Sequence, residues 1–527
     1  MTRTNRQKTI ASIKRARTKR LATLVTKTYL LYRRKREEEM YSLVCEEFVS
    51  LGGVYVKFLQ GVLLRSQVMR KWHNPDKLKV FENLDHEPIN IAALLQHELP
   101  KHKLEQIALI QPEPFAAGSF GQVYYGQLKN GQPIIVKVLR PMVRELLKHD
   151  IKLLVRFSKA FFAKLYKNMN VDLNDALKDF TDATLRETDY RQEAEFASQM
   201  YERYKDHPTL FIPQTYLDLC TDNIIVQDYV DGISLAQIVK LHEQGVDPVQ
   251  YVQDMLGTDL IYVLRSYGYE SLIGIFEMPR IQGDPHPGNI RVMRDNRIGL
   301  IDFGISAAAP QDKHGLYGLL DSYDKMMQGS QSAIDMFEYG LKFFVGDLYR
   351  ALRRVSEYLS RSGDKDYVNE VSKVAGKIFS EATGSDIINL DATSDTNVLV
   401  VINKLINKGN RFGLVMKLEA TDMLRAIQTY TTLLSSLGVY AQVMPVTLKQ
   451  ANEYVRQKYP DVATDNRESV DIAFAIETIA NWLERVADRD PILFRQLAEK
   501  IRMQPEVPAV KEAETGVKSE EGAKQHA

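Results

Sequence analysis

The sequence predicts an α+β protein of two lobes, a small antiparallel sheet followed by a helical lobe, with helical extensions at both ends. Three observations predict it. Glu113 to Tyr124 reads as strand, tight glycine-bearing loop and strand, and Ile134-Ile135-Val136-Lys137-Val138 follows it as a buried-strand pattern after the hairpin signal Lys129-Asn130-Gly131-Gln132. Ile290 to Met293 and Arg297 to Ile301 read as two short strands around an Asp295-Asn296 turn. Beyond Ser306 the apolar residues fall at helical spacing and stay there.

Taken from the N-terminus, the first element is basic. Before Glu37 there are thirteen Lys or Arg and no acidic residue. In the same stretch Ile10, Ile13, Leu21, Leu24, Val25, Thr28, Leu31 and Tyr32 recur near helical spacing. Such a helix suits an anionic bilayer, where each basic residue contributes about 1 kcal/mol. It equally suits a solvated or protein-docking helix, or an organelle transit segment, being rich in Arg and Thr and free of acids. No aromatic interleaving supports a nucleic-acid arm, so no nucleic-acid partner is expected.

The loop at Ala116-Ala117-Gly118-Ser119-Phe120-Gly121 comes next. Its glycines let a backbone approach phosphate groups closely. The Lys137 ammonium needs anionic partners to sit in an apolar strand, and the phosphates of a nucleotide and a helix carboxylate supply them. Two helical patterns follow, Met142 to Lys167 and Leu173 to Thr184. Leu185 to Phe196 reads as a third helix, rich in helix formers and free of Gly and Pro. Taken alone, Glu187, Asp189 and Glu193 on it are a solvated acidic face.

The segment Gln282-Gly283-Asp284-Pro285-His286-Pro287-Gly288-Asn289 and then Asp302-Phe303-Gly304 give the spacing of the catalytic and metal loops of protein kinases. Phosphoryl transfer needs that set: one carboxylate for the nucleophile, and an amide oxygen and second carboxylate for the metal ions. Against the kinase loop G-x-G-x-x-G-x-V, Ala116 replaces the first glycine while Gly118, Gly121 and Val123 are in place. The first expectation is therefore a protein-kinase-like bilobal fold. His286 is expected to have a structural role in its loop. No anchor triplet of the activation-segment type follows Gly304, only Ala307-Ala308-Ala309-Pro310, which weighs against an ordinary protein kinase.

The remaining helices are read at Ala333 to Phe344, Leu348 to Leu359, Asp366 to Phe379, Asn397 to Ile406, Val415 to Leu437, Leu448 to Gln457 and Val470 to Ala487. The tail from about Gln504 has the composition of a disordered segment.

The ordered set PEPFAAGSFGQVY, VKVLRP, ETDYRQEAE, QDYVDGISL, GDPHPGNI and LIDFG resembles the UbiB (AarF/ADCK) family of atypical protein-kinase-like proteins, over roughly residues 45 to 310. The resemblance implies ATP and Mg²⁺ binding, an ATPase or phosphotransferase activity, and a link to ubiquinone and other isoprenoid-lipid metabolism. It makes Lys137 the phosphate-contacting lysine, Glu193 its helix partner and Asp284 the catalytic-loop aspartate. Asn289 and Asp302 become metal ligands, and Gln227 to Val230 the hinge whose backbone meets adenine. The nucleotide positions implied are Ala116, Ala117, Gly118, Ser119, Phe120, Gly121, Val123, Lys137, Gln227 and Tyr229. Two further signatures match: the ExD motif at Glu187-Thr188-Asp189, and the KxGQ motif at Lys57-Phe58-Leu59-Gln60, whose Lys57 and Gln60 are expected to face Glu187 and Asp189 in a regulatory closure. Leu51-Gly52-Gly53 before that segment, and Leu84-Asp85 with Pro88 after it, also fit.

Three positions depart from the family pattern. Gly118 stands in its Ala-rich loop, implying looser, more kinase-like nucleotide binding. Leu59 replaces the KxGQ glycine, which questions the close packing of that segment. Gln282 stands where the family has His.

Composition sets the outer limits. A chain of 527 residues, 44% hydrophobic and 26% charged with net charge +1, is globular material for several domains. The expected division is a basic helical extension at 1–104, a kinase-like N-lobe with helical insert at 105–235, a C-lobe core at 236–325, a helical region at 326–503 and a tail at 504–527. No apolar run reaches the ~18 residues of a membrane span. Met1 to Ile10 lacks a secretory pattern, and the lone Cys45 and Cys220 suit buried thiols in a reducing compartment. A cytoplasmic, peripheral-membrane location follows. The expected function is an ATP- and Mg-dependent atypical kinase or ATPase supporting isoprenoid-quinone or other lipid metabolism at a membrane surface. The expected partners are ATP, that surface, and an isoprenoid lipid or its biosynthetic enzymes. A protein serine/threonine kinase and a nucleotide-gated lipid-binding or scaffold protein are the alternatives.

Overall fold

A computed structural model describes residues 3–59, 89–118, 120–162, 173–330, 343, 351, 418–463, 472–489 and 495. The fold is α+β, as the sequence predicts. Its N-lobe is a five-stranded sheet running β1 (Ile107–Ile110), β3 (Gly121–Leu128), β4 (Pro133–Leu139), β6 (Ile224–Asp228), with β2 (Ala116–Ala117) paired to β3. The strong alternation along β3 and β4 puts every second side chain inside, where Tyr124, Ile134, Val136 and Val138 form a small core with Ile224 and Val226. Lys137, opposite Val123 in this register, falls on the other face.

A second sheet, in the order β5 (Leu210–Phe211), β10 (Arg297–Leu300), β9 (Ile290–Met293), β7 (Ile233–Ser234), underlies the other side of the cleft. Its β9–β10 hairpin turns through Asp295 and Asn296, both at positive φ (60° and 54°), which these two residue types accept more readily than most. A third pair, β8 (Arg280–Gln282) with β11 (Ser306–Ala308), brackets both loops of the expected site.

Helices α1 (Arg3–Arg33), α2 (Glu37–Leu51) and α3 (Val54–Phe58) pack with α6 (Val143–Phe162) and α7 (Leu173–Arg186) in a core of their own. Leu21, Leu24 and Thr28 of α1 are buried there, and Arg17 forms an ion pair with the buried Asp150. One face of the basic helix is thus packed on protein. Short helices α4 (Ile91–Glu98) and α5 (Lys101–Leu104) lie at the sheet's other side.

The expected helix across Leu185 to Phe196 is divided. α7 stops at Arg186 and α8 (Tyr190–Tyr204) starts after a turn at Glu187–Asp189. Thr188 Oγ1 donates to Leu185 O at 2.9 Å, and the Asp189 carboxylate accepts from Gln192 N at 3.2 Å as the N-cap of α8. Short polar side chains that bond the local backbone compete with a continuous helix.

The C-lobe comprises α9 (Leu235–Glu243), α10 (Pro248–Leu256), α11 (Leu260–Glu277) and α12 (Lys313–Met327), and shares a single core with α13 (Leu418–Ser436) and α14 (Tyr440–Lys458). α11 has no polar stripe to betray it, because neighbours cover it on several sides: Val263, Leu264, Tyr267, Ile273 and Ile275 are buried. α14 begins eight residues before the expected Leu448 and runs through Pro445. Burial of Val443, Met444 and Leu448 outweighs the hydrogen bond that the proline lacks. α15 (Pro460–Ala463) and α16 (Ile472–Arg489) complete the described helices. The helices expected at 333–344, 348–359, 366–379 and 397–406 lie outside the described residues apart from Phe343 and Ala351, as does the tail. Cys45 and Cys220 are half-buried and form no disulfide among the described residues. Among the described residues no helix is long and apolar enough to cross a membrane.

Candidate active site

A cleft of about 470 Å³ opens between the two sheets, within the range of small-molecule sites, about 300–1,000 Å³. Ala116, Ala117, Gly118, Phe120, Gly121 and Val123 line it from the N-lobe, with Lys137, Glu187 and Glu193 behind them. Asp284, Asn289 and Asp302 line it from the other side, and Gln227 and Tyr229 close one end. The expected site residues converge on one space, with four exceptions, one of them Lys57, which is not among the lining residues. Ser119 and Gln60 lie outside the described residues. Asp189 is taken up by capping α8.

Lys137 Nζ lies 2.6 Å from Glu193 Oε1 and 3.8 Å from Asp302 Oδ1. Burial disfavours its charged form, but Asp302 and Glu193 outweigh that and lift its pKa above the ordinary lysine value. Burial pushes the Glu193 carboxyl up to about 7, against the pull of Lys137 and a hydrogen bond from the Phe303 backbone. Glu193 and Phe196 lie one turn apart on α8, and Phe196 meets Phe303 edge to face at 6.2 Å. One helix face thus grips the lysine and the Asp302-Phe303-Gly304 loop together. A Cβ on Gly304 would come within 3.2 Å of both Asp302 Oδ1 and Glu193 Oε2, so the loop's glycine is required by close approach.

The catalytic-type loop is held from below. Gly283 N donates to Ile305 O at 2.9 Å and Ile301 N to Asn289 O at 3.0 Å, locking the two loops in register. His286 Nδ1 accepts from Gly288 N at 3.1 Å and so shapes the turn that presents Asn289. Gln282 accepts from Tyr267 Oη at 3.2 Å and donates to the Asp302 carbonyl at 3.0 Å. The amide thereby spans from α11 to the metal-type loop with one acceptor and one donor.

At the far end Gln227, Asp228, Tyr229 and Val230 of the expected hinge line the cleft. The amides of Asp228 and Tyr229 donate to Gln214 O and Pro133 O, each at 3.0 Å. The Gln227 side chain is buried and bonded to Thr215 Oγ1 at 2.9 Å. What Tyr229 adds is its ring, edge-on to Phe115 at 6.0 Å and Tyr125 at 5.3 Å. Phe115, half-exposed and next to the glycine-bearing loop, was legible only as a strand residue.

Lys57 forms an ion pair with Glu187 and sits 5.7 Å over the Phe120 ring. The segment does not need a glycine at Leu59, whose side chain is fully buried in the N-terminal core. Sequence reading also passed over Tyr190. Its ring lies 5.3 Å from Lys137 Nζ, and its hydroxyl stands 2.5 Å from where a Cβ on Gly121 would be. The signal was present: Tyr190 precedes Glu193 by three residues, which puts both on one helix face.

Residues 83–323 match the sequence profile of the ABC1 atypical kinase-like domain. The chain is 28% identical over 273 residues to an uncharacterised protein of Synechocystis sp., covering 51% of this chain and 38% of that one. It is 24% identical over 386 residues to the chloroplastic protein Activity of BC1 Complex Kinase 1 of Arabidopsis thaliana (72% and 51%). To the probable protein kinase UbiB of Azotobacter vinelandii it is 27% identical over 291 residues (54% and 52%). The matched part spans about half the length of these relatives or less. Among solved structures, Rv3197 of Mycobacterium tuberculosis in complex with erythromycin aligns with a TM-score of 0.43 at 17% identity, over 80% of this chain and 99% of that one.

Proposed function

We propose that this chain, a member of the UbiB/ABC1 atypical kinase family, is a Mg–ATP-dependent ATPase or phosphotransferase that serves isoprenoid-quinone or other lipid metabolism at a membrane surface. The observation that carries the catalytic part is the Lys137 ammonium between Glu193 and Asp302, in a cleft shared with Asp284 and Asn289. The donor set fits the nucleotide and its metal. The Asn289 amide oxygen and the Asp302 carboxylate are the hard oxygen ligands that magnesium takes, and Lys137 is poised for the α- and β-phosphates. When bound, the metal ion neutralises charge on the phosphates. Asp284 orients the attacking hydroxyl or water, and Glu193 holds Lys137 in place.

For the surface, support comes from the outward side of α1. Val25, Tyr29 and Tyr32, at i, i+4 and i+7, are exposed there with Leu30, beside the exposed Lys27, Arg33 and Arg34. The lipid class itself rests on the family resemblance. The Lys57–Glu187 pair occupies the cleft margin and disfavours a protein acceptor.

The test is ATP hydrolysis by purified protein with and without anionic liposomes, comparing wild type, Asp302→Asn and Tyr29→Ser/Tyr32→Ser. Deleting α1 is a poor control, because it strips Leu21 and Leu24 from a core. Asp302→Asn should lower turnover by about 100-fold or more, as removal of a group that stabilises transition-state charge does. The double surface variant should keep basal turnover and lose liposome stimulation. Full turnover in Asp302→Asn overturns the catalytic reading; stimulation intact in the surface variant overturns the membrane reading.

A further inference from the structure

We infer that Arg291 is the floor of the base subsite, its guanidinium stacking against the face of the nucleobase that the cleft binds. The inference rests on the nucleotide reading of the cleft and deepens it: Lys137, Asn289 and Asp302 serve the phosphates, and a cation that no motif assigns serves the base.

Arg291 follows the Gly288-Asn289-Ile290 run directly and lines the same cleft. Along β9 the side chains alternate. Ile290 and Val292 are fully buried in the C-lobe core, and Arg291 between them turns to the cleft. In the N-lobe sheet β4 does the same. Ile135 stands two residues before Lys137 on the same face, about 6.6 Å farther along the strand, and pairs with Gln227. Arg291 stands two residues past Asn289 and pairs with Ser234, just beyond Val230 to Gly232. Both steps lead away from the Lys137 ammonium, toward the end that Gln227 to Val230 close. Val123 and Ile135 are therefore the apolar roof of that end, and Arg291 lies across from them with Ile301.

The guanidinium is held in place without being neutralised there. Its Nη1 donates to Gly232 O at 2.9 Å. Gly232 has φ +144°, and a Cβ on it would collide with Val292 O, so it is glycine that lets this carbonyl come so close to β9. The carboxylate at this end, Asp228, already accepts from Gln132 Nε2, Tyr216 Oη and Gln214 N. An apolar roof alone accepts any flat ring. A planar cation opposite it adds attraction for the π face, as guanidinium groups do when they stack on nucleobases. Partial desolvation strengthens that attraction, and Arg291 is half-buried.

The test uses the full chain as wild type, Arg291→Leu and Arg291→Gln, and two ligands, Mg–ATP and Mg–tripolyphosphate. The second has the phosphates and no base. Either substitution should raise the Kd for Mg–ATP about fivefold or more and leave that for Mg–tripolyphosphate unchanged, with kcat falling less than kcat/KM. Arg291→Leu keeps apolar contact without charge. Arg291→Gln retains a donor for Gly232 O and so guards against misfolding. Unaltered Mg–ATP affinity in either variant overturns the inference. So does an equal loss for both ligands, which would put Arg291 on the phosphates or in the fold alone. A wild type that binds Mg–tripolyphosphate as tightly as Mg–ATP has no base subsite; that result overturns the inference and leaves the phosphate end standing. A wild type that binds neither ligand overturns the nucleotide reading as well.

Discussion

Lys137 and Glu193 set opposite demands on one buried space, and their balance has a pH signature. The Glu193 pKa in the fold, about 7, is above its unfolded value near 4.5. A raised carboxyl favours the protonated folded form, so its contribution is complete below pH 4.5 and is lost as pH rises through 7. Lys137→Met removes the pull that opposes burial, and the loss then extends to higher pH. Melting temperatures of the variant should fall more steeply than those of the wild type between pH 5 and pH 8, each further pKa unit being worth about 1.4 kcal/mol. A parallel pH course for the two proteins would show that Lys137 does not support Glu193. At Gly118 the prediction concerns the ligand. No atom lies within 4 Å of a Cβ there and its φ is not left-handed, so Gly118→Ala costs the fold nothing. The substitution should therefore leave the melting temperature unchanged and shift nucleotide affinity and turnover. Unchanged nucleotide kinetics would end the expectation that Gly118 loosens this loop.

Elements position these groups, and α8 does most of it. It presents Glu193 to Lys137, Tyr190 to the same ammonium and Phe196 to Phe303. Its start is fixed by Asp189, whose side chain accepts from Gln192 N. Asp189→Ala should lower stability by about 1 kcal/mol, the usual cost of losing such a cap. Asp189→Asn and Asp189→Ser, which also cap, should recover most of it in denaturant titrations. Equal losses for all three would mean that the charge of Asp189, and not its cap, is what the fold uses. The sequence reading of an unbroken helix across Leu185 to Phe196 counted propensity and missed the competition from Thr188 and Asp189 side chains.

Across the whole molecule, α11, α12 and α14 knit the C-lobe to the C-terminal helices. Glu277 at the end of α11 accepts from Lys458 Nζ at 2.6 Å and Tyr454 Oη at 2.5 Å, and from Arg203 Nη2 of α8 at 2.6 Å. Burial would raise its pKa, but those hydrogen bonds outweigh it and hold the carboxyl down to about 2. A depressed carboxyl stabilises above its unfolded pKa, here near 4.5, and that stability is lost as pH falls through 2. Glu277→Gln should cost about 1.5–3 kcal/mol at pH 7, the range for hydrogen bonds to a charged group. The gap between variant and wild type should close between pH 4.5 and pH 2. A gap that persists at the acid end would mean packing, not charge, is what the substitution removed.

The sequence by itself determined the glycine-bearing loop, the Lys137 strand, the Asp295-Asn296 hairpin and the spacing that brings Asp284, Asn289 and Asp302 to one cleft. These are local: a strand's alternation, a turn's torsions and a loop's length are set by residues near one another in the chain. Only the tertiary structure decided which face of α1 is buried, that the amides of Asp228 and Tyr229 donate to Gln214 O and Pro133 O, that α14 runs through Pro445, and that Phe120 lies under the extension. Each depends on what packs against the segment from far along the chain, and a buried surface or a spent donor leaves no periodic trace at its own position.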